Sequence, residues 1–214
     1  MKLNCLTVGM LETNCYIASD AEKNAVVVDP GGEAQRIIDW LEKAGLKPAA
    51  ILLTHGHPDH TLGLRAVQEH FDVPAYACIE EKPFFDDPAS AVPRYPYVPE
   101  KPKEIRYLKD GESLELLGER WELIHTPGHT WGSCCFYVPD AGVLFAGDTL
   151  FKDTYGRTDL NTGSDTDIMD SIGRKLMALP DETQVLPGHG EPTQIGRERR
   201  YNPAVLAFRR FYGG

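Results

Sequence analysis

The sequence has few basic residues for its length. Its 22 lysines and arginines stand against 32 aspartates and glutamates, which gives a formal net charge of −10. Proteins that bind nucleic acids depend largely on lysine and arginine to neutralise phosphates. We therefore expect no nucleic-acid partner. A small acidic substrate is still compatible with this composition, because the charge of a bound metal ion would dominate its own surroundings.

Cysteines and long apolar runs are also scarce. Five cysteines, an odd number without a Cys-x-x-Cys spacing, do not predict a disulfide framework. The N-terminal segment MKLNCLTVGMLETNCY lacks the continuous apolar core of a secretory signal. No apolar run approaches the roughly 18–20 residues that span a bilayer. The sequence therefore predicts a cytoplasmic protein that makes no membrane contact and keeps its cysteines as free, buried thiols.

Strands and helices alternate in two comparable halves, and 214 residues fit one large domain or two small ones. Apolar and β-branched runs predict strands at residues 3–9, 13–19, 24–29, 49–54, 73–77, 105–108, 112–117, 120–126, 133–138, 142–147 and 183–187. Helical spacing predicts helices at 33–46, 62–71 and about 166–179, with a short helical tail. The proline-rich stretch between Pro83 and Pro102 and the segment 148–162 are predicted loops. Each half thus predicts a sheet covered by helices.

The segment THGHPDH, residues 54–60, concentrates potential metal ligands at the end of an apolar strand. His55 and His57 are two apart in an extended segment, so they point to the same side and are able to reach one ion. Asp59 and His60 lie where the chain turns into a helix, and their position suits a second ion. The segment therefore predicts a metal site.

Three further candidate ligands follow other apolar strands, each next to a glycine. With the first four they make a set of imidazoles and carboxylates that suits Zn²⁺, Fe or Mn²⁺ better than Ca²⁺: His55, His57, Asp59, His60, His129, Asp148 and His189. His70 and His125 are interpreted as structural or surface residues. We expect one sheet edge to gather the seven ligands.

Six motifs, in this order, resemble the metallo-β-lactamase superfamily and within it the short glyoxalase II-like (hydroxyacylglutathione hydrolase-like) group. They span residues 13–193 and read TNCYI, VVVDPGG, LLTHGHPDHTLG, HTPGHTWGS, LFAGDTLF and VLPGHGEPT. The resemblance implies an α/β fold, a four-layer αββα sandwich with metals at one edge of two sheets. It also implies that residues 1–214 form a single domain of this type.

The resemblance implies a role for each candidate ligand. One ion would be bound by His55, His57 and His129, and the other by Asp59, His60 and His189, with Asp148 bridging the two. Asp59 and Asp148 are the predicted catalytic residues, and two divalent ions, Zn²⁺ before Fe or Mn²⁺, are the predicted cofactors. Asp29 and Thr54 match positions that support the loops. Exported β-lactamases of the superfamily usually carry a different residue at the position of His60, which argues against that activity.

The implied activity is thioester hydrolysis of a small molecule by a metal-bound hydroxide. Only 25 residues follow His189, so the C-terminal helical domain that helps full-length glyoxalase II bind glutathione is not expected. The GRTD piece at residues 156–159 also resembles the persulfide dioxygenases, which are mononuclear iron enzymes that oxidise glutathione persulfide. The sequence leaves these two chemistries open, together with the oligomeric state and a third hypothesis, a metal-binding sensor without turnover.

Two residues of the loop after Asp148 are candidates for substrate binding. The planar guanidinium of Arg157 suits a substrate carboxylate, and an ion pair with Asp159 that stabilises the loop is an equal alternative. Tyr155 is a second, weaker candidate. Cys134 and Cys135 are adjacent in a predicted strand, so one is expected to face the core and the other to face outward.

Overall fold

The computed structural model describes residues 1–88 and 96–212. Its first sheet has six strands, arranged in the order β1-β2-β3-β4-β5-β6. The first three strands are antiparallel, and β3 to β6 are parallel. The strands are Lys2–Val8, Thr13–Ser19, Asn24–Val28, Lys47–Leu52, Ala75–Cys78 and Ile105–Leu108.

The second sheet also has six strands, arranged in the order β14-β13-β10-β9-β8-β7. Only β10 and β13 pair in parallel. Its strands β7 to β10, β13 and β14 are Ser113–Leu116, Glu119–His125, Cys134–Val138, Val143–Gly147, Gln184–Pro187 and Thr193–Gln194. Between β10 and β13 the short strands β11 (Leu150–Phe151) and β12 (Thr154–Tyr155) form a separate hairpin.

Seven α-helices lie in the described part of the chain. Helices α1 to α7 are Ala34–Ala44, Pro58–Thr61, Leu64–Phe71, Lys82–Asp86, Asp165–Asp170, Ile195–Tyr201 and Pro203–Tyr212. A 3-10 turn, Ile79–Glu81, leads into α4, and a wide π-helical turn followed by a 3-10 turn extends α5 as far as Ala178. Within the described residues, none of these helices is long and apolar enough to cross a membrane.

Three apolar cores separate four layers, which confirms the predicted αββα sandwich. One core lies between the first sheet and helices α1 and α3. The central core lies between the two sheets and contains Trp121 stacked on Phe145, with ring centroids 5.2 Å apart. The third core lies between the second sheet and the helices that follow residue 164. Burial on both faces explains why inner strands such as β3 and β10 are almost continuously apolar.

The two-residue period of the strands assigns neighbouring side chains to different cores. In β2, Cys15 and Ile17 enter the outer core of the first sheet, whereas Tyr16 and Ala18 enter the central core. Cys134 lies in the central core, but Cys135 lies in the third core and is also buried. The prediction that one of these two cysteines faces outward was therefore wrong, because helices cover that face. All five thiols are free.

Helix α1 and two predicted loops differ from the structure in ways that have a local physical reason. Helix α1 ends at Ala44, because Gly45 adopts a left-handed conformation with φ of 66°, and Leu46 N–H then bonds to the Leu41 carbonyl at 2.9 Å. The predicted loop after Pro83 begins with helix α4, which buries Phe84 and Phe85. Residues 89–95 of this predicted loop lie outside the described part of the chain. The predicted loop 148–162 contains the hairpin β11–β12.

Candidate metal centre

The seven predicted ligands meet at one edge of the two sheets. His55 and His57 follow β4, and Asp59 and His60 lie in the first turn of α2, which begins at Pro58. The other three follow β8, β10 and β13 of the second sheet: His129, Asp148 and His189. The sandwich brings these strand ends together, so residues that are more than a hundred positions apart become neighbours.

The first group of ligands consists of three buried imidazoles. His55, His57 and His129 each offer a ligand atom, and the three atoms lie within 4.8 Å of one another. His57 Nδ1 is 2.9 Å from His129 Nε2. The rings of His55 and His57 meet edge to face, with centroids 4.7 Å apart. The three ligand atoms are therefore close enough to share one ion.

The second group consists of Asp59, His60 and His189, whose ligand atoms also lie within 4.8 Å of one another. His189 Nε2 is 3.2 Å from Asp59 Oδ2 and 3.4 Å from His60 Nε2. Asp148 lies between the groups, with Oδ1 3.4 Å from His60 Nε2 and Oδ2 3.6 Å from His129 Nε2. Oδ2 is also 3.6 Å from His189 Nε2, so Asp148 lies against imidazoles of both groups, the position expected of a bridging ligand.

Hydrogen bonds on the outer side of the imidazoles fix their tautomers. His129 Nδ1 donates to the Arg157 carbonyl at 2.7 Å, and His189 Nδ1 donates to the Leu11 carbonyl at 3.0 Å. His60 Nδ1 is 2.9 Å from Asp29 Oδ2. A histidine that donates through one ring nitrogen presents the lone pair of the other, so these contacts orient each Nε2 toward the centre.

Unpartnered buried atoms show that these residues fit metal ions. The Thr54 hydroxyl donates to Asp29 Oδ2 at 2.6 Å and therefore accepts from His55 Nδ1 at 3.1 Å. His55 Nε2 then carries a lone pair, yet it is buried and has no hydrogen-bond partner, as do His57 Nε2 and Asp148 Oδ1. Such atoms are costly to leave unpaired. Imidazole nitrogens with carboxylate oxygens are the ligands that Zn²⁺ and Fe take.

The pKa values of the ligands agree with a cation site. Burial, reinforced by the neighbouring histidines, lowers the pKa of His55 well below its ordinary value and that of His57 to about 3. Both rings are therefore neutral, which is the form that binds a metal. The carboxylates around His60, led by Asp148 and Asp59, outweigh burial and raise its pKa. A positive charge is thus favoured among these acids.

The loop that carries His189 is held against the first sheet. Asn14 Nδ2 donates to the carbonyls of Pro187 and Gly190 at 3.1 and 2.9 Å, and the Tyr16 hydroxyl donates to the Pro187 carbonyl at 2.9 Å. A Cβ atom on Gly188 would lie 2.2 Å from Asp148 Oδ1. This position needs glycine, because any side chain would displace the bridging carboxylate.

A cleft of about 700 Å³ opens above the two groups. The ligands His57, Asp59, His129, Asp148 and His189 line its floor. Its walls are mostly apolar and are formed by Leu11, Pro58, Phe151, Thr154, Tyr155, Arg157 and Leu160. The cleft therefore presents apolar walls beside a polar floor, which is typical of a small-molecule site.

Both predicted substrate-binding residues line this cleft. Tyr155 belongs to the hairpin β11–β12, and Arg157 follows it. The Arg157 guanidinium forms a two-point ion pair with Asp159, with Nε–Oδ1 and Nη2–Oδ2 distances of 2.7 and 2.8 Å. The stabilising ion pair is therefore present, and the guanidinium is still largely exposed at the mouth of the cleft.

The C-terminal helices hold the hairpin β11–β12 in place. Asn202 Nδ2 donates to the carbonyls of Phe151 and Thr154 at 3.3 and 2.9 Å, and also to Glu198 Oε2. Asp153 N–H donates to the same Glu198 oxygen at 2.9 Å. Glu198 and Asn202 are both fully buried. Sequence reasoning missed this role of the tail, because nothing local marks a contact with a hairpin about 50 residues away.

The two histidines interpreted as structural lie outside the centre. His70 Nε2 is 2.9 Å from Glu42 Oε1 on the surface. His125 Nε2 donates to the Trp131 carbonyl at 2.8 Å, and its ring approaches Cys78 and Glu80. Burial raises the pKa of the Cys78 thiol, which donates to Glu80 Oε2 at 2.9 Å. This second cluster is a poor metal site, because a thiol binds a metal only after it loses its proton.

Comparison with known proteins agrees with this geometry. The sequence model of the metallo-β-lactamase superfamily matches residues 8–189. The chain is 36% identical to hydroxyacylglutathione hydrolase GloC of Haemophilus influenzae, over 95% of this chain and 97% of that protein.

Two solved structures are similar in fold over nearly their whole length. The crystal structure of the BLEG-1 B3 metallo-β-lactamase has a TM-score of 0.88 and 37% identity, and covers 95% of this chain and 99% of its own. The structure of TTHA1623 in a di-iron-bound form has a TM-score of 0.84 and 35% identity, and covers 94% and 98%. Because the family model spans most of the chain and the fold and the ligands agree with it, this chain belongs to the metallo-β-lactamase superfamily of metal-dependent hydrolases.

Proposed function

We propose that this protein is a cytoplasmic thioester hydrolase of the hydroxyacylglutathione hydrolase type that uses two divalent metal ions. The observation that carries the proposal is the pair of complete ligand groups joined by Asp148 on the floor of the cleft. The similarity to GloC at 36% identity supports the choice of substrate class. Zn²⁺ is the expected metal, and the di-iron form of TTHA1623 keeps Fe as an alternative.

In the proposed assignment, His55, His57 and His129 hold one ion and Asp59, His60 and His189 hold the other. Two divalent ions held there would supply a water of lowered pKa, toward 7, and would polarise a substrate carbonyl. The protein contributes the fixed orientation of each ligand, through outer hydrogen bonds such as His129 to the Arg157 carbonyl and His189 to the Leu11 carbonyl. Ligands fixed in this way do not need to reorganise during the reaction.

A thiol leaving group suits this site. Thiols have a pKa near 8.5, so a thiolate departs from an acyl centre with little need for a proton donor. The apolar walls formed by Leu11, Phe151 and Leu160 would contact an apolar acyl group. Arg157 and Tyr155, which line the cleft, are the proposed substrate-binding residues, and the Arg157 guanidinium would pair with a carboxylate of the thiol carrier.

The test is turnover of S-lactoylglutathione by the metal-replete protein, with Asp59→Ala as the variant. Asp59 belongs to the second group alone, so its loss should remove the second ion and collapse turnover. Turnover that does not depend on Asp59, or no turnover at all, would contradict a dinuclear thioesterase for this substrate.

Two other activities are measured on the same protein. Oxygen uptake with glutathione persulfide and one iron per chain would support the dioxygenase that the GRTD segment at residues 156–159 resembles. Hydrolysis of a chromogenic cephalosporin would support the activity named for the similar B3 metallo-β-lactamase structure. Bound metal without any of these activities would indicate a sensor.

A further inference from the structure

Glu81 is a fully buried carboxylate outside the ligand set. It ends the 3-10 turn Ile79–Glu81, between β5 and α4 of the first half of the chain. Its side chain has no exposed surface, although the residues on either side, Glu80 and Lys82, are exposed. A buried carboxylate is costly unless it accepts hydrogen bonds.

The two oxygens of Glu81 bond to two different ligand loops. Oε1 accepts from the Gly56 N–H at 2.7 Å, and Gly56 lies between His55 and His57. Oε2 accepts from the Gly132 N–H at 2.8 Å, in the loop that follows His129. The Thr130 hydroxyl lies 2.9 and 3.0 Å from the two oxygens. One carboxylate therefore connects the loops that carry all three imidazoles of the first group.

The packing around these contacts leaves no room for side chains. A Cβ atom on Gly132 would lie 2.1 Å from the backbone nitrogen of Glu81, and a Cβ atom on Gly56 would lie 2.6 Å from Phe84 Cβ. The Glu81 segment is therefore seated directly on both loops. Gly132 lies against the Glu81 backbone, and Gly56 lies against the Phe84 side chain and Glu81 Oε1, so a shift of this segment would displace both loops.

We infer that Glu81 is a positioning residue that holds the His55–His57 loop and the His129 loop at the separation required to bind the first metal ion. The inference rests on the metal-dependent hydrolase assignment and not on the thioester substrate. It concerns the backbone beneath the ligands, whereas the contacts of Asp29, Leu11 and Arg157 concern the imidazole rings.

The chemistry of the contacts explains why a carboxylate occupies this position. Both oxygens must accept, because Gly56 and Gly132 each offer only a backbone N–H. Glutamine has one accepting oxygen, and its NH₂ group would face one of these N–H donors. Burial raises the pKa of Glu81 to about 7 despite the three donors, and nearby metal cations would favour the charged form again.

The experiment compares Glu81→Gln with Glu80→Gln, a matched change at the exposed neighbouring carboxylate. Both are made in the full-length protein and again in the Asp59→Ala background, in which only the first ion should remain. Zinc affinity is measured by competition with a chelator. We expect Glu81→Gln to weaken binding of this ion by about 10- to 100-fold, the range found for residues that orient metal ligands. Glu80→Gln should leave it unchanged.

Activity provides a second readout on whichever substrate the protein turns over. At saturating zinc, Glu81→Gln should lower kcat and leave KM nearly unchanged, since Glu81 does not line the cleft. A lower melting temperature of the metal-free protein combined with unchanged zinc affinity would overturn the inference and leave Glu81 a residue of the core. Failure of the thioesterase proposal would leave the zinc measurement valid.

Thr130→Val serves if Glu81→Gln does not fold. This change preserves the shape of Thr130 and removes its hydroxyl, which bonds to the carboxylate and to the Ser133 hydroxyl. It should weaken zinc binding in the Asp59→Ala background by a smaller factor in the same direction. Unchanged zinc affinity in this variant would also overturn the inference.

Discussion

The floor and the wall of the cleft are built differently. On the floor, four imidazoles are buried and that of His189 is partly exposed, and His60, His129 and His189 each make an outer hydrogen bond that fixes the ring. On the wall, the hairpin β11–β12 is anchored through its backbone by Asn202, whereas the Arg157 side chain is largely exposed. Hydrogen bonds on the floor thus fix the orientation of the side chains, whereas those on the wall fix mainly the backbone.

This difference separates the chemistry from the choice of substrate. Metal ligands must be held closely, because small displacements cost much of the binding and the rate. Wall residues contact the variable part of a substrate, and their side chains can change without loss of the ligands. We therefore expect substitutions on the floor to reduce metal binding and kcat, and substitutions on the wall to act mainly on KM.

The largest effect should follow His57→Ala. The ring is buried and belongs to the first group, so its loss should remove an ion that contributes several kcal/mol to charge stabilisation. We expect kcat/KM to fall by about 1000-fold. The protein should also lose one equivalent of bound metal. His70→Ala, at a surface histidine, is the control. A loss of kcat/KM below tenfold would contradict the expectation that floor residues control metal binding and rate.

Asp29→Asn should give the next largest effect. Asp29 Oδ2 accepts from the Thr54 hydroxyl and from His60 Nδ1, so an amide nitrogen there would face a donor. Metal affinity should fall by about 10- to 100-fold in chelator competition. Asp39→Asn, on the exposed face of α1, should leave affinity as it is in the unmodified protein. If both variants bind metal equally well, outer contacts on the floor are not decisive.

Asn202→Ala should act on the wall alone. The change removes three hydrogen bonds to Phe151, Thr154 and Glu198, so the hairpin loses an anchor. We expect the free energy of unfolding to fall by about 1–3 kcal/mol and KM to rise roughly threefold to tenfold. Metal content, measured in parallel, should not change. If this variant lost metal while KM stayed constant, the hairpin would support the metal centre and not the substrate, contrary to the expectation.

The smallest effect should follow Arg157→Ala. Its carbonyl, which holds His129, survives the substitution, so the metal centre should be intact. The melting temperature should hardly move, because exposed ion pairs contribute little. KM should rise severalfold for a thioester whose carrier has a carboxylate, and should stay constant for one without it. Asp159→Ala frees the guanidinium and should not raise KM. An equal KM for both substrates would exclude a role in carboxylate binding.

Much of the fold was predictable from local patterns. Apolar runs gave eleven of the twelve strands of the two described sheets to within two residues, because buried strands are rich in apolar residues. The two-residue strand β14 was not predicted. The cluster HGHPDH indicated a metal site because ligands are packed into six positions. Helix α4 and the hairpin β11–β12 were missed, since proline-rich and short segments carry little periodicity.

The sequence by itself determined the ligand types, their placement at strand ends and the layered fold, since these follow from residue chemistry and from the spacing of apolar positions. Only the tertiary structure decided how they are supported. The carboxylate of Glu81 reaches Gly56 and Gly132, 25 and 51 positions away, and Asn202 reaches a hairpin 48 positions away. Such contacts form when packed layers bring distant backbone together, and a single buried acceptor has no local pattern that reveals its partners.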